Sequence, residues 1–421
     1  MGGVTSRRPT DDSRPDSPQR VGLLFTVVLA GLAMIGPFTI DTVFPAFEQM
    51  GGQFRADTAA MQQVTSLYLL SFAVMSIFHG PISDAMGRKP VMIIGLLGFT
   101  AATILCALAP TLPVMLVGRL LQGGFAGAAT IVSRVVIRDL FSGSAAQRLM
   151  SNVMMIFSVA PAIAPVVGGW LLSVGPWQSI FWAIACYGVV MAVTVGVVLP
   201  ETLPTAERRP LNAASVVRAV IRVGSRGAVV RLALLTACTF GAQFTYIAAA
   251  PIIVVDLLGL GERDFWVLFV PLIGGIMAGA FISGRTADRV PRRRLIDVAM
   301  AFALVAIAVN VLIVAWQPSL PWVMLAPPLA ATAVGTMFPV LNLEILDQAP
   351  DDRGAAASLG AFGTLFGNAV LAGVIIPVVS GSLLHLALTS LAYAVLAMLL
   401  WRWHRSRPSD PAATPVPHER N

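Results

Sequence analysis

The sequence predicts an all-α integral membrane protein, with twelve transmembrane helices arranged as two six-helix pseudo-repeats. Three observations carry this. Long continuous apolar runs recur along the chain, charged residues are scarce, and one polar motif returns in the second half. Of 421 residues, 57% are apolar and 12% charged, against a charged share of roughly 25% in globular domains. Mean hydropathy is +0.81. A water-soluble enzyme of this size needs far more charge to cover its surface, so that class is excluded. The net charge of +7 and the pI near 10.1 invite a nucleic-acid reading. The basic residues fall between apolar runs and not along one polar face, so no nucleic-acid partner is expected. Cys106, Cys186 and Cys238 each lie inside an apolar run without paired spacing, and the four histidines are scattered. Neither a metal centre nor a cofactor is expected.

A helix needs about 20 apolar residues to cross a bilayer. Twelve runs meet that need, at 21–47, 60–81, 91–109, 112–138, 149–172, 176–199, 229–255, 264–284, 295–316, 320–346, 355–377 and 380–403. They are called spans 1 to 12 below. The runs are continuous and not alternating, which rules out membrane strands. Residues 1–20 form a polar tail carrying Arg7, Arg8, Arg14 and Arg20. The run after it is too long for a signal-peptide core and lacks a small-residue cleavage site, so span 1 is expected to be retained. The domain plan is a tail (1–20), a first bundle (21–199), a linker (200–228), a second bundle (229–403) and a tail (404–421).

Orientation follows from the basic residues. With the N-terminus inside, only Arg55 and Arg263 of the 28 Lys and Arg fall outside, and Arg119 lies within a span. Both termini are therefore expected in the cytoplasm of a cell bounded by this inner membrane. Trp170, Trp177, Trp266, Trp316 and Trp322 fall near the expected outer ends, where an aromatic belt belongs. In the linker, Leu211, Val216, Val217, Val220 and Ile221 share a helical face while Arg218, Arg222 and Arg226 recur every four residues. Two readings fit: a basic helix on the anionic inner leaflet, or a solvated connector.

The halves repeat in parallel. Gly80-Pro-Ile-Ser-Asp84-Ala-Met-Gly87-Arg88-Lys89 joins spans 2 and 3, and Gly284-Arg-Thr-Ala-Asp288-Arg289 joins spans 8 and 9, an offset of 204 residues (84 to 288). Parallel repeats place a substrate site between the halves, near mid-membrane. The glycines permit a tight hairpin, and Asp84 is an anion suited to a helix N-terminus, that of span 11 being one candidate, with Arg88 beside it. On these residues the chain resembles the transporters of the major facilitator superfamily. The resemblance implies that Gly80, Asp84, Gly87, Arg88, Asp288 and Arg289 latch the halves together on the inner side in one state. A solvated loop whose cations only enforce topology is the alternative.

Asp41 is the sharpest residue. It lies inside span 1, with Pro37 and Pro45 four residues to either side and so on its face. Two prolines free backbone carbonyls, which suits a cavity wall better than a lipid face. A carboxylate there costs several kcal/mol unless it is paired or protonated, which is what a proton carrier requires. A structural acid paired near the outer interface is the other reading. Arg119 in span 4 is its natural partner, at about the same depth from the outer ends, and Gln122 shares its face. The Val117-Gly118-Arg119 segment resembles a superfamily motif tied to proton-coupled members; an arginine that merely ties helices together is the alternative. At the matching positions of the second half stand Thr245 and Val323, so coupling is expected in the first half.

Span 5 carries Pro161, Pro165, Gly168 and Gly169. It is similar to a motif of superfamily exporters at the contact between halves, with Ala164 where glycine is usual. Taken together, spans 1, 4 and 5 most resemble the bicyclomycin/chloramphenicol-resistance branch of drug:proton antiporters. The resemblance implies efflux of small amphiphilic substrates in exchange for protons, through a monomer in the lipid bilayer. A proton-coupled importer or a metabolite exporter on the same fold is the alternative. Glu344 reads as a wet inner rim beside Asp347, Asp351 and Asp352. Tyr68, Phe72, Gln122, Gln243, Tyr246, Asn342, Phe362 and Asn368 are the candidate cavity residues. No Gly-x-x-x-x-Gly-Lys-Ser/Thr loop occurs, so an ion gradient and not ATP is expected to drive transport.

Overall fold

The computed structural model describes residues 23–407 apart from 142, 209 and 288; several side chains between 142 and 158 also lie outside the described residues. Asp288, residues 1–22 and residues 408–421 lie outside the described residues. All regular structure among the described residues is helical. In the first half the helices are α1 (Leu23–Asp41), α2 (Phe47–Phe54), α3 (Thr58–Ser76), α4 (His79–Met86), α5 (Arg88–Ala107), α6 (Leu112–Leu140), α7 (Gly143–Val174) and α8 (Gln178–Val198). After the linker helix α9 (Ala213–Gly224) come α10 (Gly227–Ala248), α11 (Trp266–Thr286), α12 (Arg292–Trp316), α13 (Pro327–Asp347), α14 (Arg353–Val370), α15 (Ile376–Val379) and α16 (Leu383–Ser406).

Ten stretches are long and apolar enough to cross a membrane, and α3 with α4 makes an eleventh bent by 51°. The 32-residue α7, apolar over Val159–Val174, completes the twelve. The chain is thus a multi-pass membrane protein.

Proline placement decides where spans break. Pro45 lacks an N–H and its ring collides with the carbonyl four residues earlier, which is that of Asp41. Accordingly α1 ends at Asp41, a short 3₁₀ turn covers Phe44–Ala46, and α2 restarts at Phe47. Spans 7 and 11 break differently, each through a π-helical turn, at Ile252–Leu257 and Leu371–Ile375. Starts are capped in the expected way: the Asp57 carboxylate accepts from the Ala60 amide at 2.8 Å, and Ser382 Oγ accepts from the His385 amide at 3.2 Å.

The halves meet at the face opposite the termini. One apolar cluster runs through the first half and continues into Phe244, Ile247, Phe269, Leu371 and Ile376 of the second. The end of the second half nearest the termini has its own cluster around Leu232, Leu295, Leu341 and the buried Trp401. Trp401 is anchored there by donating from Nε1 to Asp297 at 2.7 Å.

Candidate functional site

Asp41, at the end of α1, is only 4% exposed. Among the described residues its carboxylate has neither a hydrogen bond nor an ion-pair partner. The flanking hydroxyls do not serve it: Thr39 donates to the Ile35 carbonyl at 2.7 Å, and Thr42 donates to that of Phe38. Against this break packs α7. A Cβ on Gly168 would collide with the Thr42 carbonyl and crowd Pro45, so glycine alone allows the approach. The next residue, Gly169, abuts the Glu262 carbonyl of the second half in the same way. Pro165 is buried and Pro161 half-buried. The span 5 motif therefore touches the Asp41 break with one glycine and the other half with the next.

Arg119 is fully buried in α6. Nε donates to the Val64 carbonyl at 2.9 Å and NH1 donates to Gln122 at 2.7 Å. Gln122 in turn donates to Thr103 at 2.7 Å. The guanidinium lies 4.5 Å from the centre of the Tyr68 ring, while NH2 is buried without a partner. The expected direct pair with Asp41 is not formed in this arrangement. Equal depth in two helices does not fix which way a side chain swings, and here the guanidinium points toward spans 2 and 3. Tyr68, which carries the guanidinium on its face, is within electrostatic reach of Asp41 as well, and donates to the Gly36 carbonyl of α1 at 3.3 Å.

The segment expected to be a hairpin is mostly helix. Gly80 lies inside α4 with open space where a Cβ would go, so no tight turn requires it there. Within this segment Gly87 adopts a positive φ, +103°. Asp84 pairs with Arg88 inside its own half and not with the start of span 11. Arg88 also donates to Asp139 at 3.0 Å and to Ser83 at 2.7 Å. The N-terminus of α5 is capped instead by Glu201, which accepts from the Arg88 amide at 3.0 Å. In the matching segment Gly284 has open space where a Cβ would go and Arg289 is exposed.

The candidate cavity residues separate into two kinds. Tyr68 and Gln122 are fully buried and engaged with Arg119, so they do not face open space; Phe72 packs edge-on to Tyr68. Asn342 and Phe362 are half-buried, Asn342 donating to its own helix at Phe338 and Phe362 stacking on Phe366. In the second half Tyr246 Oη accepts from Asn310. Gln243 Nε2, Asn310 Oδ1 and Asn368 Oδ1 of that half are buried without a hydrogen-bond partner among the described residues. Glu344 and Asp347 both lie against Arg292, at 3.8 Å and 2.7 Å.

Five polar residues carry no signal that the sequence reading uses. His79, 3% exposed, lies at the α3–α4 bend against Gly127, its Nδ1 unpartnered. Gln62, Gln63 and Ser66 reach from α3 across to the second half, donating to the carbonyls of Ala248 (3.1 Å), Gly373 (2.8 Å) and Ala369 (2.8 Å). Gln49 donates to Glu262 at 3.1 Å on the same face. Adjacent polar residues at the outer end of span 2 were the available signal. Their acceptors are backbone carbonyls, which no side-chain pattern announces.

Twelve spans in two pseudo-repeats, with polar groups buried at mid-membrane, is the build of a secondary transporter. Residues 23–372 match the Major Facilitator Superfamily, and the chain belongs to it; it is a transporter and not an enzyme. It is 30% identical over 297 residues to the MFS-type transporter YdgK of Bacillus subtilis, covering 70% of this chain and 73% of that protein. It is 25% identical to the bicyclomycin resistance protein homolog of Haemophilus influenzae, over 67% of this chain and 71% of the relative. It is 29% identical to the multidrug resistance protein MdtL of Salmonella heidelberg, over 61% of this chain and 65% of that one. The fold matches the crystal structure of a D-xylose-proton symporter with a TM-score of 0.71 at 14% identity, covering 93% of this chain and 99% of that one.

Proposed function

We propose that this transporter is a proton-coupled antiporter that exports small amphiphilic drugs or antibiotics across the inner membrane, with both termini cytoplasmic. The observation that carries the reading is Asp41: a buried carboxylate at a helix break, without a hydrogen bond or ion pair among the described residues, in electrostatic reach of the Tyr68 phenol on which the buried Arg119 guanidinium sits. A carboxylate in such a setting holds a proton until a cation or water reaches it, so its charge follows the conformational state. In the outward-open state external protons neutralise Asp41. After the switch, Arg119 and inner water draw the proton off and substrate takes its turn. Exchange then requires that proton and substrate bind competitively.

Relatives named for bicyclomycin and multidrug resistance support the direction and the class of cargo. The contact of Gly168 with the Asp41 break and of Gly169 with the second half supports a mechanical link between protonation and rocking. The pairs Asp84–Arg88 and Arg88–Asp139 hold the inner ends of spans 2 to 4 as one block, as a latch half needs.

The test is drug efflux from cells and pH-gradient-driven transport in vesicles reconstituted with the full chain. Asp41→Asn is expected to abolish gradient-driven transport while running as a folded monomer in detergent. Unchanged transport would remove Asp41 as carrier, and greater drug accumulation in expressing cells would identify an importer.

A further inference from the structure

Arg119 occupies a compromise. Its guanidinium carries five N–H donors, yet among the described residues it finds only the Val64 carbonyl, Gln122 and the face of Tyr68, leaving NH2 buried and unpaired. The Val64 carbonyl belongs to the helical turn that ends in the Tyr68 amide, so ring and carbonyl are parts of one surface. That surface is rigid. The phenol is tied to α1 at Gly36, Phe72 packs at its edge (6.2 Å between ring centres), and the Tyr68 carbonyl is pressed against Gly123 of α6, where a Cβ would not fit. The guanidinium, on a long side chain, is the movable part. A salt bridge to Asp41 would satisfy NH2; the aromatic face competes for the same cation.

We propose that Tyr68 is a positioning residue of the coupling site: its ring, with the Val64 carbonyl, is a seat that holds the Arg119 guanidinium off Asp41 in the state described here. Protonation of Asp41 sends the arginine to the seat, and leaving the seat returns it to the carboxylate. Other titratable groups face this trio from neighbouring helices. Cys106 of α5 lies near Arg119, and Tyr187 of α8 donates to Gly31 and packs against Phe38 of α1. Arg134 lies further along α6. Neither Cys106 nor Tyr187 forms a hydrogen bond to Asp41 or Arg119 among the described residues.

This rests on the proton-coupled reading above, and the test separates the two. The pH at which transport is half-maximal is measured in vesicles for the full chain and for Tyr68→Leu, Tyr68→Phe, Arg119→Ala and the double variant Tyr68→Leu/Arg119→Ala. A nearby cation favours the charged carboxylate, so Arg119→Ala moves the midpoint to higher pH. Tyr68→Leu frees the cation for Asp41 and moves it to lower pH, by about 0.5–1 unit. Tyr68→Phe keeps the face and stays within about 0.3 unit of the parent. The double variant follows Arg119→Ala, because Tyr68 acts only through the arginine. If Tyr68→Leu does not fold, Tyr68→Met, similar in size and without a π face, takes its place. A midpoint unmoved or raised by Tyr68→Leu while Arg119→Ala shifts it overturns the seat and leaves the coupling reading standing. Midpoints unmoved in every variant, with gradient-driven transport intact in Asp41→Asn, overturn the coupling reading itself.

Discussion

The two halves share one architecture and divide the chemistry. In the first, a carboxylate and a guanidinium are both buried in mid-span, and span 1 breaks at the carboxylate because Pro45 forces it to. In the second, the matching positions hold Thr245, whose hydroxyl donates to Gly241 within its own helix, and the apolar Val323. Its buried polar groups are neutral: Gln243, Tyr246, Asn310 and Asn368. Its spans break through π-helical turns, beside carbonyls that accept from the first half. The difference teaches that a repeat can keep its frame while one copy takes the cost of buried charge and the other offers neutral surface. Burying ions twice would double a penalty that only one exchange site needs.

The largest expected effect tests that division directly. Asp41→Asn removes the one acid at the break, whereas Thr245→Ala removes only an intrahelical hydroxyl bond. Gradient-driven transport is expected to vanish in the first and to stay within about twofold of the parent in the second. Comparable losses in both would mean that the halves share coupling after all. Transport rates in vesicles at matched protein content decide it.

Next in size is a contrast between glycines. Gly168→Ala drives a methyl into the Thr42 carbonyl, and backbone cannot yield as a side-chain tip does. Its cost is expected at about 1–3 kcal/mol, with transport lost in step. Gly274→Ala, in α11 of the second half, meets nothing within 4 Å and replaces a flexible helical residue. It should stabilise by about 0.5–1 kcal/mol and leave transport unchanged. Thermal melting in detergent measures both, and equal shifts would deny that the α1–α7 contact is special.

Much of this was legible in the residues and some was not, for physical reasons. Apolar run length gave twelve spans because the bilayer sets one length for all of them. The spacing of Pro37, Asp41 and Pro45 placed the acid on a disturbed helix, and the break fell where the proline ring requires. The direct Asp41–Arg119 pair is not formed in this state. Depth along an axis is encoded by counting, but azimuth is set by neighbouring helices, and here Gly123 draws span 4 onto span 2. Gly80 suggested a hairpin, yet glycine is permitted in a helix as well as in a turn, and the chain continues helical to Met86. His79 is not announced by the sequence, because a lone histidine in an apolar run carries no pattern.

The smallest effects belong to the cross-half hydrogen bonds, and they test which surface keeps the face away from the termini closed. Gln62, Gln63 and Ser66 each donate to a carbonyl of the second half, and each bond contributes about 1 kcal/mol net. Replacing any one with alanine should move the balance toward the open state by about fivefold, and two together by the product if they act independently. Asn342→Ala is the control, since that amide donates within its own helix to Phe338 and bridges nothing. Spin labels at positions 108 and 317, with Cys106, Cys186 and Cys238 replaced, report the distance between the halves at that face. A longer distance in the α3 variants and none in Asn342→Ala would assign closure to the polar edge of span 2. Equal distances in all of them would assign it to the apolar contact of Phe44 with Phe269, ring centres 6.3 Å apart, which none of these changes touches.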